Sequence, residues 1–140
     1  YSSNQSYAPT YGLLYNWFAV NDPRGFAPEG WHVATKEDYY QLFTTLGGDT
    51  SDIGGELKAT TLWNPPNTGA TNSYGFGALP GGIRWLDGHF SELTLQGFYW
   101  SGSEYNADDA DYMNLWFNKA SIIPDACHKE FGYSVRLVHD

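Results

Sequence analysis

GFYWSGSEYNADDADYMNLWFNKASIIPDACHKEFGYSVRLVHD, residues 97–140, is the stretch whose reading decides the fold. Its aromatic and aliphatic residues come in short runs broken by Gly, Asn and Asp, a pattern of strands and tight turns. Strands are expected over 97–101, 113–118, 120–123 and 133–139, the last closing on the alternation Val135, Leu137. Just upstream, Asp87-Gly88 separates two apolar runs, 83–86 and 89–93, which is the strongest short hairpin signal in the chain.

The first half reads differently. Residues 1–10 are polar and suggest an extended lead-in or edge strand. In residues 11–20, Leu13, Leu14, Trp17 and Phe18 recur at helical spacing, predicting a short helix that ends before Asp22-Pro23, with a strand as the alternative given so many aromatics. Gly30 to Val33 reads as a short strand. A helix over about 36–46 follows, with Thr35 as cap, Glu37 and Asp38 in the first turn, and Tyr39, Leu42, Phe43 and Leu46 on one stripe. A weaker helical turn is expected over 53–58. Residues 60–82 have almost no periodicity, with Trp63, Phe76 and Leu79 as the anchors of a long irregular loop. Helices early and strands late make the class α+β, a main amphipathic helix and a shorter one packed on a twisted, mostly antiparallel sheet.

Bulk composition narrows the function classes. The chain has 140 residues, enough for one domain with its own core. Seven Lys plus Arg against 16 Asp plus Glu give a net charge of −9, a field that repels phosphate backbones and anionic lipid. Nucleic-acid and membrane-surface partners are therefore disfavoured, and no apolar run reaches membrane-spanning length. The lone Cys127 rules out a disulfide within the chain and reads as a small core residue rather than a nucleophile.

Six ordered blocks carry a resemblance: YGLLYNWFAV, PEGWHVATKEDYYQL, GGELK, WNPPNTGATNSYGFGALPGG, YWSGSEY and YSVRLVHD. Together, from Tyr11 to the last residue, they resemble the Fibrobacter succinogenes major paralogous domain, a family of secreted and surface proteins of bacteria, many of them Bacteroidetes and Fibrobacteres. The family in turn looks like the C-type lectin fold in the variant shared with formylglycine-generating enzymes. That resemblance implies a single lectin-like domain, residues 1–140, cut from a larger secreted or surface protein. Many members carry Cys where this chain has Ala27 and Leu137; both are absent here, as loss of a mutual disulfide would leave them. Formylglycine-type chemistry needs reactive cysteines, and Cys127 followed by His128 forms no such pair.

The candidate chemistry lies in the last third. A hydrolase would need paired carboxylates, such as Glu104 with Asp108 or Asp111, or a triad from Ser101, His128 and an Asp; a solvated acidic loop is the plainer reading. His32, His89, His128 and His139 lack zinc-site spacing. No cofactor is expected, calcium being the one candidate, through the oxygen donors Glu104, Asn106, Asp108, Asp109 and Asp111. Sugar rings stack on flat aromatic faces while amides and carboxylates read hydroxyl positions. The ligand-binding set is thus Trp85, Tyr105, Asn106, Asp108, Asp111, Tyr112, Asn114, Trp116 and Asn118. The expectation is a non-catalytic extracellular module for carbohydrate. The alternative is a protein- or receptor-binding display module, since Tyr, Trp, Ser and Asn also make protein-binding loops; a glycan-active enzyme is a third class. Retroelement-diversified proteins share the lectin-like fold, and by that resemblance Tyr105 to Asp125 form a variable binding face.

Overall fold

The computed structural model describes residues 5–48 and 50–140, so residues 1–4 of the expected lead-in lie outside the described residues. A 3-10 turn at Gln5–Tyr7 leads into α1 (Ala8–Tyr11) and α2 (Trp17–Val20), followed by β1 (Trp31–Val33), α3 (Lys36–Thr45) and α4 (Ile53–Leu57). The strands β2 (Ile83–Arg84), β3 (Phe90–Ser91), β4 (Gln96–Glu104), β5 (Asp109–Trp116), β6 (Ile122–His128), β7 (Ser134–Val135) and β8 (Leu137–His139) complete the chain. The architecture is mixed α+β.

The centre is a four-stranded sheet in the order β6-β5-β4-β7, antiparallel except where β7 runs parallel to β4. Two ribbons flank it: β1 pairs with β8, and β2 with β3. Side chains alternate across the central strands, so β4 and β5 feed two cores. Tyr99, Met113 and Leu115 join Tyr39, Phe43, Leu57 and Trp63 on one face. Phe98, Trp100 and Ala110 join Trp17, Val20, Ile83 and Tyr133 on the other. A sheet covered on both faces explains why residues 97–101 are so continuously apolar.

The predicted main helix forms one residue short of its expected end. Thr35 accepts from the Asp38 N–H at 3.2 Å, and the Asp38 carboxylate accepts from the Thr35 N–H at 2.8 Å, a complete capping box. Tyr39 and Phe43 are buried while Leu42 and Leu46 pack at the margin. The turn at α4 is built on close approach. A Cβ on Gly55 would meet the Gly69 carbonyl oxygen at 2.5 Å, and one on Gly54 would meet the Ser121 backbone at 2.6 Å. Only glycine lets α4 seat against both loops.

Four expectations need correction. The polar start is helical over Ala8–Tyr11 rather than extended, with Pro9 favourably placed in its first turn. Residues 11–20 are not one helix. Gly12 adopts φ +78°, Tyr15 exchanges backbone hydrogen bonds with Tyr133, and Asn16 caps a helix that starts only at Trp17. Leu13 and Phe18, two members of the supposed stripe, are exposed. Strand β5 begins at Asp109, four residues earlier than expected, because Asn106 Oδ1 accepts the N–H groups of Asp108 and Asp109 and closes a tight turn. Strand β6 runs on through Pro124 to His128; as an edge strand it tolerates the missing donor.

The irregular stretch 60–82 is held by its own packing. Trp63 is buried and its Nε1 donates to the Ala78 carbonyl at 2.9 Å. Phe76 meets Tyr99 edge-on, and the Leu79 backbone both donates to and accepts from the Tyr99 hydroxyl. The Arg136 guanidinium lies 4.7 Å from the Phe76 ring centre and donates to the Gly77 carbonyl. The predicted hairpin forms, shorter on both sides, with Ile83 opposite Ser91 and Arg84 opposite Phe90.

Candidate functional site

The sequence-predicted binding residues do not form one face. Ala110, Met113 and Leu115 of β5 are at most 1 % exposed, so the strand that was to display the site is mostly interior. Asn114 is buried and donates to Gln96 Oε1 at 3.2 Å and the Gly97 carbonyl at 3.3 Å, which makes it a sheet-packing residue. Asp111 is nearly buried. Trp116 and Asn118 sit at the far end of β5 from Tyr105, about 20 Å away at the rise of a strand. Trp85 stacks on His89 and donates to Ser91 Oγ at 2.7 Å within the β2–β3 hairpin. Within the span Tyr105–Asp125, expected as a variable face, Ala110, Met113 and Leu115 are interior positions.

Two buried lysines hold the turns at the two ends of β5. Lys129, 3 % exposed, donates to Glu104 and to the carbonyls of Asn106 and Ala107, both at 2.7 Å, with its ammonium 4.9 Å from the Trp17 ring centre. Lys58, fully buried, donates to the carbonyls of Trp116 and Lys119, each at 2.9 Å, over the face of Trp63. The calcium expectation meets this arrangement directly. Glu104 is taken by Lys129, Asn106 Oδ1 by two backbone N–H groups, and Asp111 by Lys36. Among the described residues no three His, Cys, Asp or Glu side chains come together as metal ligands.

The expected nucleophiles are also placed. Ser101 is buried, its Oγ accepting the Ser103 N–H. His128 Nδ1 faces Asp109 Oδ1 at 3.4 Å. Burial pushes the Cys127 thiol up to about 12, against the partial relief of a hydrogen bond to the Tyr133 hydroxyl at 3.3 Å.

A cleft of about 290 Å3 opens between α3, β5 and β6. Lys36, Tyr39, Tyr40 and Phe43 line it from the helix, Asp109, Asp111, Tyr112 and Met113 from β5, and Pro124, Asp125 and Ala126 from β6; Ser101 and Tyr105 complete it. Its rings are partly open to water: Tyr40 is 48 % and Tyr105 62 % exposed. Lys36 Nζ donates to Asp111 Oδ1 at 3.1 Å and lies 5.9 Å from the Tyr105 ring centre. The bond to Asp111 raises the Lys36 pKa, while burial and then the neighbouring Asp125 raise that of Tyr112. Of the predicted set, the cleft gathers Tyr105, Asp111 and Tyr112. Lys36, Tyr40 and Asp125 were missed. Tyr40 stands off the apolar stripe of its helix, which is the signal that could have found it.

A second hollow, of about 630 Å3, has apolar walls from Leu42, Phe76, Leu137 and Val138. His32 and the carboxylates of Asp38 and Asp140 are engaged with one another, while Arg136 Nε is buried there without a hydrogen-bond partner. His32 Nδ1 lies 2.6 Å from Asp140 Oδ1 and its Nε2 3.0 Å from Asp38 Oδ2. The smaller cleft, with open aromatic faces and carboxylates, is the candidate site.

Fold and cleft together define an α+β module that presents an aromatic, acidic groove beside its main helix. The chain belongs to the Fibrobacter succinogenes major domain family, whose model matches residues 1–139. No curated protein and no solved structure matches it.

Proposed function

We propose that this chain is a non-catalytic, extracellular ligand-binding module of C-type-lectin-like architecture, and that its ligand is carbohydrate held in the cleft between α3 and β5–β6. The observation that carries the reading is the pairing of open tyrosine rings with carboxylates in one groove: Tyr40 and Tyr105 beside Asp109, Asp111 and Asp125. Flat rings offer a stacking surface for the C–H face of a sugar, and carboxylates accept its hydroxyls. The volume suits one or two sugar rings, at the small end for ligand pockets. What supports the lectin-like plan and a secreted or surface location is the family membership, together with one long helix on a mostly antiparallel sheet and long irregular loops. A catalytic reading has less support, because Ser101 is sealed and Glu104 is held by a lysine.

The test is oligosaccharide binding by array and then calorimetry. Tyr105→Ala lowers affinity at least about tenfold, or 1.4 kcal/mol, with the circular dichroism spectrum unchanged. Undiminished binding by that variant sinks the assignment of the cleft. Binding to a protein partner that no saccharide competes sinks carbohydrate as the ligand.

A further inference from the structure

Resting on that reading, we infer that the cleft selects a saccharide bearing a free amine, an aminosugar in its ammonium form, over neutral and N-acetylated sugars. The first ground is charge. Asp109, Asp111 and Asp125 line the cleft against one cation, Lys36, which is already bonded to Asp111. Asp109 meets His128 at 3.4 Å and the Asn106 amide at 3.0 Å, whereas exposed Asp125 accepts the neighbouring Ala126 N–H at 2.8 Å and a hydrogen bond from the Tyr112 hydroxyl, both neutral donors, and forms no ion pair among the described residues. A neutral ligand leaves that carboxylate without a counter-ion, whereas an ammonium placed beside it gains the attraction of opposite charges at short range.

The second ground is that the cleft already cradles an ammonium of its own. Lys36 Nζ sits between a carboxylate oxygen at 3.1 Å and the Tyr105 ring centre at 5.9 Å. Carboxylate on one side and aromatic face on the other is the arrangement that recognises ammonium groups generally. Tyr112 and Asp125 repeat the same pairing of residue types on the adjoining strands, opposite each other in register and near enough for the carboxylate to raise the phenol's pKa. In this second pairing no protein ammonium is present among the described contacts. An aminosugar places its ring against Tyr105 or Tyr40 and its ammonium at Asp125.

The experiment compares tetramers of glucosamine, N-acetylglucosamine and glucose by calorimetry at about 0.15 M salt, where long-range attraction to the acidic chain is screened. Tetralysine serves as a polycation without a sugar ring. The expected result is that the glucosamine tetramer binds at least tenfold more tightly than either neutral tetramer and than tetralysine. Asp125→Asn removes that preference, while Glu130→Gln, an exposed change of the same charge outside the cleft, retains it. Equal affinity for all three tetramers overturns the inference and leaves the glycan cleft standing. Tetralysine binding as tightly as the glucosamine tetramer, or a preference lost equally with Glu130→Gln, also overturns it, reducing the effect to net charge. If no tetramer binds, the carbohydrate reading falls and this inference with it.

Discussion

At the scale of single residues, His32 shows how geometry fixes a protonation state. A neutral imidazole has one N–H, yet both ring nitrogens here face carboxylate oxygens, at 2.6 Å and 3.0 Å. The arrangement is satisfied by imidazolium, and the hydrogen bonds first to Asp140 and then to Asp38 raise the His32 pKa above its ordinary 6.5. Because the folded value is the higher one, this contribution to stability is complete below 6.5 and disappears as pH rises through the folded pKa. An NMR titration is expected to place the His32 midpoint above 6.5, and Asp140→Asn to move it down. A midpoint at or below 6.5 in the parent chain refutes the assignment. Lys129 makes a parallel point, since its ammonium takes Glu104, one of the oxygen donors that the residue types alone suggested for a divalent cation, together with the backbone carbonyls of Asn106 and Ala107.

At the scale of elements, the glycines of α4 decide more than its helical propensity does. Gly-Gly in a helix is unfavourable by roughly 1 kcal/mol per residue, so the turn must be held from outside. It is held by contact: Gly55 N–H donates to the Ala120 carbonyl at 2.8 Å, and the Gly55 carbonyl accepts from Thr71 at 3.2 Å. Leu57 and Lys58 at its end are both fully buried. Gly55→Ala puts a methyl group within 2.5 Å of the Gly69 carbonyl oxygen, and backbone on both sides cannot yield cheaply. The expected loss is about 1–3 kcal/mol in urea unfolding, despite alanine's better propensity. A neutral or stabilising result would mean the contact relaxes freely.

For the whole molecule, the shared sheet is what makes the two cores one folding unit. Trp100 is completely buried on one face and its Nε1 donates to the Tyr15 carbonyl at 2.8 Å, while its neighbour Tyr99 serves the opposite core. Damage to either face therefore reaches both. Trp100→Ala is expected to cost about 3–5 kcal/mol, with near- and far-ultraviolet dichroism melting together at a lower temperature. Separate transitions for the two signals would show that the cores unfold independently.

The sequence by itself determined the class of the fold, the main helix with its Thr35 cap, the Asp87-Gly88 hairpin and the run of strands after residue 96. Those are local matters of periodicity, capping and turn chemistry, written within a few residues of where they act. It also determined the family, through blocks that include the glycines of α4 and Arg136. Only the tertiary structure decided that β5 is an interior strand, which turned Asn114 and most of Asp111 inward, and that Lys129 occupies the acidic turn. It alone brought Tyr40, Asp125 and Tyr105 to one groove. Burial and charge pairing depend on what packs across from a residue, and residues 40, 105 and 125 meet only because the helix, the turn and the edge strand lie against each other in space.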